Sequence, residues 1–238
     1  MRAVTELAAV LWDMDGTLVD TEPYWIETEH DLVTEFGGTW SHQDAQSIIG
    51  SDLIDAGVAL RDRGGVDLEP RAIVERLLDG VVAKLSSRGV PWRPGAASLL
   101  AECVDAGVPC ALVTMSWRRF ADAVMTTVPD GSFVLSMTGD EVSRGKPHPE
   151  PYRKASEALG VDPADCVAIE DSRTGVASAL GAGCATLGVP HVVTLPATPG
   201  LTIVESLVGV DLPFLRSLVP ASRTADSRHG EARPAGAS

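Results

Sequence analysis

Three short apolar runs constrain this chain most: Ala8-Ala9-Val10-Leu11-Trp12, Cys110-Ala111-Leu112-Val113 and Cys166-Val167-Ala168-Ile169, which end at Asp13, Thr114 and Glu170. Unbroken apolar stretches of this length, without polar alternation, read as strands buried on both faces, as in a parallel sheet. Strands are predicted at 8–13, 109–114, 133–136, 166–170 and 184–188. From Pro94 onward they alternate with helices predicted at 95–106, 117–127, 149–159 and 173–181. That rhythm predicts an α/β fold, a doubly wound parallel sheet with helices on both faces. The first strand breaks it, because helical patterns at 22–36, 41–49, 52–63 and 69–87 follow with no strand between them. The expected organisation is therefore a discontinuous α/β core of residues 1–19 and 94–219, an all-helical insertion at 20–93, and a tail at 220–238. The tail is rich in Ala, Ser, Arg and Gly and is expected to be disordered.

The chain has 238 residues, 45% of them hydrophobic and 22% charged, which suffices for a sizeable core. Its formal net charge of −14 excludes a basic nucleic-acid surface and, equally, attachment to an anionic membrane. An anionic substrate would need local positive charge or a metal. The four cysteines, Cys103, Cys110, Cys166 and Cys184, lie in apolar contexts with no C-x-x-C pairing and read as small buried hydrophobes of a reducing compartment. With no signal-peptide pattern and no run of about 18 apolar residues, a cytoplasmic protein is expected.

Open parallel sheets bind ligands outside the carboxyl ends of their strands. The first strand runs into Asp13-Met14-Asp15-Gly16-Thr17-Leu18-Val19-Asp20. Residues i and i+2 of a strand face the same way, so a bend at Gly16 lets Asp13 and Asp15 address one site. Burying such a pair without compensation is costly, which calls for a cation or a shared proton. Thr114-Met115-Ser116, Lys146 in Ser143-Arg144-Gly145-Lys146-Pro147, and Glu170-Asp171-Ser172 arrive at the same sheet edge. Four carboxylates with no His or Cys among them suit Mg²⁺. A carboxylate can attack phosphorus to give an acyl phosphate once its repulsion from the phosphate is offset. A second carboxylate can give a proton to the leaving oxygen and take one from water. Thr114 and the backbone amides of the following helix start can hold phosphate oxygens.

These motifs, in this order, resemble the haloacid dehalogenase-like (HAD) superfamily, in the branch with a helical cap inserted after the first strand of a Rossmann-like core. Asp13 to Asp20 is similar to its first motif, Thr114 to the second, and Lys146 within Gly145–Tyr152 to the third. Ile169-Glu170-Asp171-Ser172-Arg173-Thr174-Gly175-Val176 is similar to the fourth. The resemblance implies that Asp13 is nucleophile and metal ligand. It makes Asp15 the general acid/base, with its backbone carbonyl on the metal. Asp171 completes the Mg²⁺ ligands, with Glu170 acting directly or through water. Thr114, Met115, Ser116 and Lys146 bind the phosphate. The activity implied is hydrolysis of a small phosphorylated metabolite by a phosphatase that forms an aspartyl phosphate.

Asp15 argues against a dehalogenase or phosphonate hydrolase. The rivals are a phosphomutase like β-phosphoglucomutase, which needs a basic residue in the cap, and a binding protein on the same scaffold. The loop Ile48-Ile49-Gly50-Ser51-Asp52 is expected to face substrate and is acidic, while Arg61, Arg63, Arg71 and Arg76 read as ion-paired. Arg118, just after the second motif, is a candidate for binding an anionic substrate. Tyr24, Trp25, Trp40 and Trp92 read as cap core, His148 as loop packing and Asp20 as a hinge residue. A cap of about 70 residues favours small substrates. Nothing in the sequence indicates an oligomeric state.

Overall fold

The computed structural model describes residues 7–49 and 51–220. Six parallel strands, β1 (Ala9–Trp12), β2 (Cys110–Val113), β3 (Leu135–Met137), β4 (Cys166–Glu170), β5 (Ala185–Gly188) and β6 (Leu201–Ile203), form one sheet of order β3-β2-β1-β4-β5-β6. The strand order reverses at β1, so its carboxyl end lies at the crevice where such sheets bind ligands. Register pairs Trp12 with Leu112 on one side and with Ile169 on the other. Asp13, Thr114 and Asp171 thus leave the sheet close to one level.

Side chains alternate between the two faces as the strand period requires. Val10, Trp12, Leu112 and Ile169 point into one apolar cluster, and Ala9, Leu11, Val113 and Ala168 into the other. Fully burying each larger aliphatic side chain contributes roughly 1.5–3 kcal/mol. The second face is covered by α7 (Glu150–Leu159) and α8 (Arg173–Ala182), through residues such as Tyr152, Ala155 and Ala179. On the first face lie α5 (Ala96–Asp105) and α6 (Arg118–Met125), and there the cluster continues into the helical cap.

The cap comprises α1 (Glu22–Glu35), α2 (His42–Gln46), α3 (Leu53–Asp62) and α4 (Pro70–Arg88). Local chemistry sets these limits. Proline occupies the first turn of α1 and of α4, where its missing N–H costs nothing. Asp44 and Ser41 form a capping box on α2, and Asp52 caps α3. Chain enters and leaves the cap as two paired segments, with Asp20 N–H donating to Pro91 O (2.7 Å) and Arg93 N–H to Leu18 O (3.0 Å). Trp25 of α1 meets Phe120 of α6 edge to face, centroids 5.2 Å apart, which joins cap to core.

The helices and strands expected from the sequence are present with ends shifted by a few residues; the helix expected at 41–49 is the shorter α2. Two elements were not anticipated, the edge strand β6 and α9 (Leu212–Leu218). The expected disordered tail falls, beyond Pro220, outside the described residues. All four cysteines are buried free thiols. Among the described residues no helix is long and apolar enough to cross a membrane.

Candidate active site

Asp13, at the end of β1, is 7% exposed. Its Oδ1 accepts a hydrogen bond from Lys146 Nζ at 2.6 Å, and the same ammonium donates to Val113 O at 2.8 Å. Lys146 Nζ also lies 2.7 Å from Glu170 Oε1, so one buried cation serves two carboxylates. Burial works against the ammonium, but Asp13 and Glu170 outweigh it and raise its pKa. Glu170, fully buried, takes a second hydrogen bond from Tyr152 Oη at 2.5 Å.

The Asp15 carboxylate points elsewhere. Its Oδ1 accepts from Thr21 Oγ1 and its Oδ2 from Ser116 Oγ at 2.7 Å, with Thr114 Oγ1 at 3.5 Å. Burial raises its pKa, partly opposed by the Thr21 and Ser116 hydrogen bonds. Asp13 and Asp15 therefore sit in different company, one against an ammonium and one against hydroxyls. Thr114 Oγ1 accepts the Ser116 N–H at 3.0 Å, so its hydroxyl shapes the loop as well as facing the site. Ser172 caps α8 by accepting the Gly175 N–H at 3.0 Å, which fixes the turn that carries Asp171.

Asp13, Glu170 and Asp171 offer carboxylate oxygens within 4.8 Å of one another. Burial, with the charge of Asp13 next, pushes Asp171 up to about 9 and Glu170 up to about 7. Two buried carboxylates and the half-buried Asp171 crowd against one ammonium, and the donor set is all oxygen. A divalent cation that prefers oxygen fits both features. Gly16 leaves the room required, since a Cβ there would overlap the Asp171 carboxylate, and its φ of +84° is one that glycine adopts without strain. The side chain of Asp15 is outside this cluster.

A cavity of about 120 Å³ opens over these groups. Asp13, Asp15, Thr114, Met115, Ser116, Lys146 and Asp171 line it, and Glu170 lies beneath. Arg118 departs from expectation. Its guanidinium donates to Ser136 O (3.0 Å), pairs with Glu141 and lies 3.5 Å from Asp122, and it does not line the cavity. In the cap loop, Ile48, Ile49 and Ser51 line the cavity, but the Asp52 carboxylate is spent on the Ile54 N–H at 2.8 Å. Acid reaches the cavity instead from α1, through Glu22 and Glu29, which sequence reasoning missed along with Thr21, Tyr152 and His191. Thr21 and Glu22 follow the first motif directly, and that adjacency was the available signal. Trp25 lines the cavity and is also cap core, whereas Trp40 is buried in the cap. His148 packs its loop, with Nδ1 accepting the Glu150 N–H at 3.1 Å.

Residues 10–189 match the haloacid dehalogenase-like hydrolase family, and the chain belongs to it. It is 31% identical over 195 residues to Protein CbbY of Rhodobacter capsulatus, covering 78% of this chain and 86% of that protein. Against hexitol phosphatase B of Escherichia coli K12 the identity is 28%, covering 80% and 86%. Among solved structures, CbbY from Rhodobacter sphaeroides in complex with phosphate superposes with a TM-score of 0.79 at 26% identity, covering 88% of this chain and 99% of that one. A β-phosphoglucomutase from Clostridium difficile, 20% identical with a TM-score of 0.76, shares the fold.

Proposed function

We propose that this chain is a Mg²⁺-dependent phosphatase that hydrolyses a small-molecule phosphate monoester through an aspartyl phosphate on Asp13. The observation that carries the reading is the division of labour at the end of β1. Asp13 lies 2.6 Å from the Lys146 ammonium, while Asp15 is held among the hydroxyls of Thr21 and Ser116 with its pKa raised. The named relatives, among them a hexitol phosphatase, agree with it.

In this reading an Asp13 carboxylate oxygen attacks phosphorus as the bond to the ester oxygen breaks. Protonated Asp15 gives its proton to the departing alkoxide. Asp15, now ionised, takes a proton from water whose oxygen attacks the phosphoryl group, and inorganic phosphate leaves as the Asp13 carboxylate reforms. Lys146 offsets negative charge on Asp13 and on the phosphoryl oxygens, and Thr114 with the Met115 amide holds the phosphoryl group, the Ser116 N–H orienting the Thr114 hydroxyl. Asp13, Asp171 and the Asp15 carbonyl would hold Mg²⁺, with Glu170 beneath; the ion supplies electrostatic stabilisation of the transferring group. Arg118, already paired, is given no role. Residues 20–93 serve as the lid over the site, and a cavity of about 120 Å³ suits a metabolite.

A phosphomutase would need a cation in the cap for a second phosphate. Arg63 pairs with Asp44 and stacks on Trp40, Arg76 pairs with Glu35, Arg88 with Glu27, and Arg71 lies over Trp117. No arginine lines the cavity among the described residues. The deciding experiment is phosphate release from a panel of metabolite monoesters with and without Mg²⁺, with Asp13→Asn as the blank. Release that requires both supports the reading. Equal release from Asp13→Asn sinks it, and turnover only with a hexose monophosphate plus a bisphosphate primer would make the chain a mutase.

A further inference from the structure

Part of the cavity wall has no task in the chemistry above. Glu22, Trp25 and Glu29 are three and seven residues apart on α1, the spacing of one helix face, and all three line the cavity. Glu29 is only 6% exposed, and its Oε2 accepts the Trp40 indole N–H at 2.9 Å. Among the described residues no donor reaches Glu29 Oε1 or either oxygen of Glu22. These oxygens open onto the cavity, Glu22 being half-buried, so their lone pairs are free for donors from a ligand.

The charge of the same wall narrows the ligand. Among the described lining residues only Lys146 and His191 can carry positive charge. Lys146 is committed to Asp13 and Glu170, and His191 Nε2 lies 3.3 Å from Asp20. A second phosphate or a carboxylate on the substrate would meet two acids with no cation to answer it. Alcohol hydroxyls would find acceptors. Burial raises both acids, Glu22 to about 8 and Glu29 to about 7, so below those values they can also donate to hydroxyls, and they repel a second anion fully only as pH rises past about 8.

We infer that Glu22 and Glu29 are the specificity-determining pair of the cavity, selecting phosphate esters whose alcohol carries neutral hydroxyl groups and rejecting those with a second anionic group. This rests on the phosphatase reading and names its substrate class as polyol monophosphates. Trp25 lines the cavity between the two acids.

The test separates selectivity from turnover. Binding of sorbitol 6-phosphate and of phosphoglycolate is measured by calorimetry with Mg²⁺ on Asp13→Asn, alone and combined with Glu22→Gln, Glu22→Lys or Glu29→Gln. The ratio of kcat/KM for the same two esters is measured in the corresponding single variants. The polyol should bind at least about tenfold more tightly than the acid. Glu22→Gln should cut that preference about tenfold, and Glu22→Lys should reverse it. Glu22 has no internal partner among the described residues, so its replacement tests the pair even if Glu29→Gln disturbs the Trp40 bond and the fold. Equal or tighter binding of phosphoglycolate, or a ratio within about twofold of the parent in every variant, overturns the inference. Selective binding with no phosphate release from any ester would sustain it while sinking the phosphatase reading.

Discussion

The Lys146 ammonium lies 2.6 Å from the Asp13 carboxylate across 133 residues of sequence, and 2.7 Å from Glu170. Among the described residues it is the one ammonium in a nest of three carboxylates, Asp13 and Glu170 buried and Asp171 half-buried. Removing one partner of such a cluster leaves its counter-charges buried and unpaired, which is commonly worth about 3–5 kcal/mol. Lys146→Gln should therefore lower the midpoint of urea unfolding and also reduce kcat/KM by about 100-fold or more, since an electrostatic donor at the transferring group is lost. Wild-type turnover in a stably folded Lys146→Gln would remove Lys146 from the site.

Gly16 should be irreplaceable for a steric reason. A methyl there overlaps the Asp171 carboxylate, and the φ of +84° strains any other residue. Gly16→Ala should displace Asp171 and raise the Mg²⁺ concentration for half-maximal activity by about tenfold, in line with what disturbed metal-ligand support costs. An Mg²⁺ titration of phosphate release checks this, with the thermal melt as control. An unchanged midpoint would show that Asp171 does not depend on the space at Gly16.

The sheet and its candidate site edge were legible because their signals are local. Short apolar strands running into Asp13, Thr114 and Glu170 announce both the layer and the edge where function collects. What was not legible depends on where a side chain turns. Arg118 follows Thr114 closely, yet Ser136 and Glu141 draw its guanidinium away. Asp52 looks like a substrate-facing acid, yet the free N–H of Ile54 at the start of α3 claims it. Glu22 and Glu29 look like the solvated face of an amphipathic helix, and only the packing of α1 against the core shows that this face borders a cavity. β6 and α9 escaped because three-residue edge strands and seven-residue helices carry too little periodicity to register.

Glu29 predicts a pH dependence of stability. Its neighbours are the Trp40 indole, which is neutral, and the Glu22 carboxyl on the same helix face. Burial raises its pKa from 4.5 to about 7. Between these values the folded chain holds a proton that the unfolded chain has released. The Glu29 contribution is therefore fully present below about 4.5 and is lost as pH rises to about 7. Glu29→Gln keeps an acceptor for Trp40 and cannot ionise. Its stability relative to wild type, from urea melts, should rise between pH 5 and pH 8 by an amount on the order of 1–3 kcal/mol. A flat difference would mean that Glu29 ionises freely in the folded chain.

Gly80 in α4 sets two ordinary effects against each other. Glycine inside a helix is less favourable than alanine by roughly 0.5–1 kcal/mol, so Gly80→Ala should stabilise on propensity alone. A Cβ at Gly80, however, would overlap Cγ2 of Thr28, where α1 crosses α4 closely. Thr28 cannot turn away freely, because its Oγ1 donates to Tyr24 O at 2.6 Å and the residue is buried. Overpacking of this kind typically costs about 1–3 kcal/mol, which exceeds the propensity gain. Gly80→Ala should thus destabilise the cap, and the double variant Gly80→Ala with Thr28→Ser, which removes the offending methyl, should recover most of the loss. Urea melts of the four proteins give the coupling directly. A stabilised Gly80→Ala single variant would show that α1 and α4 part easily, a looseness that would also widen the cavity wall carrying Glu22 and Glu29.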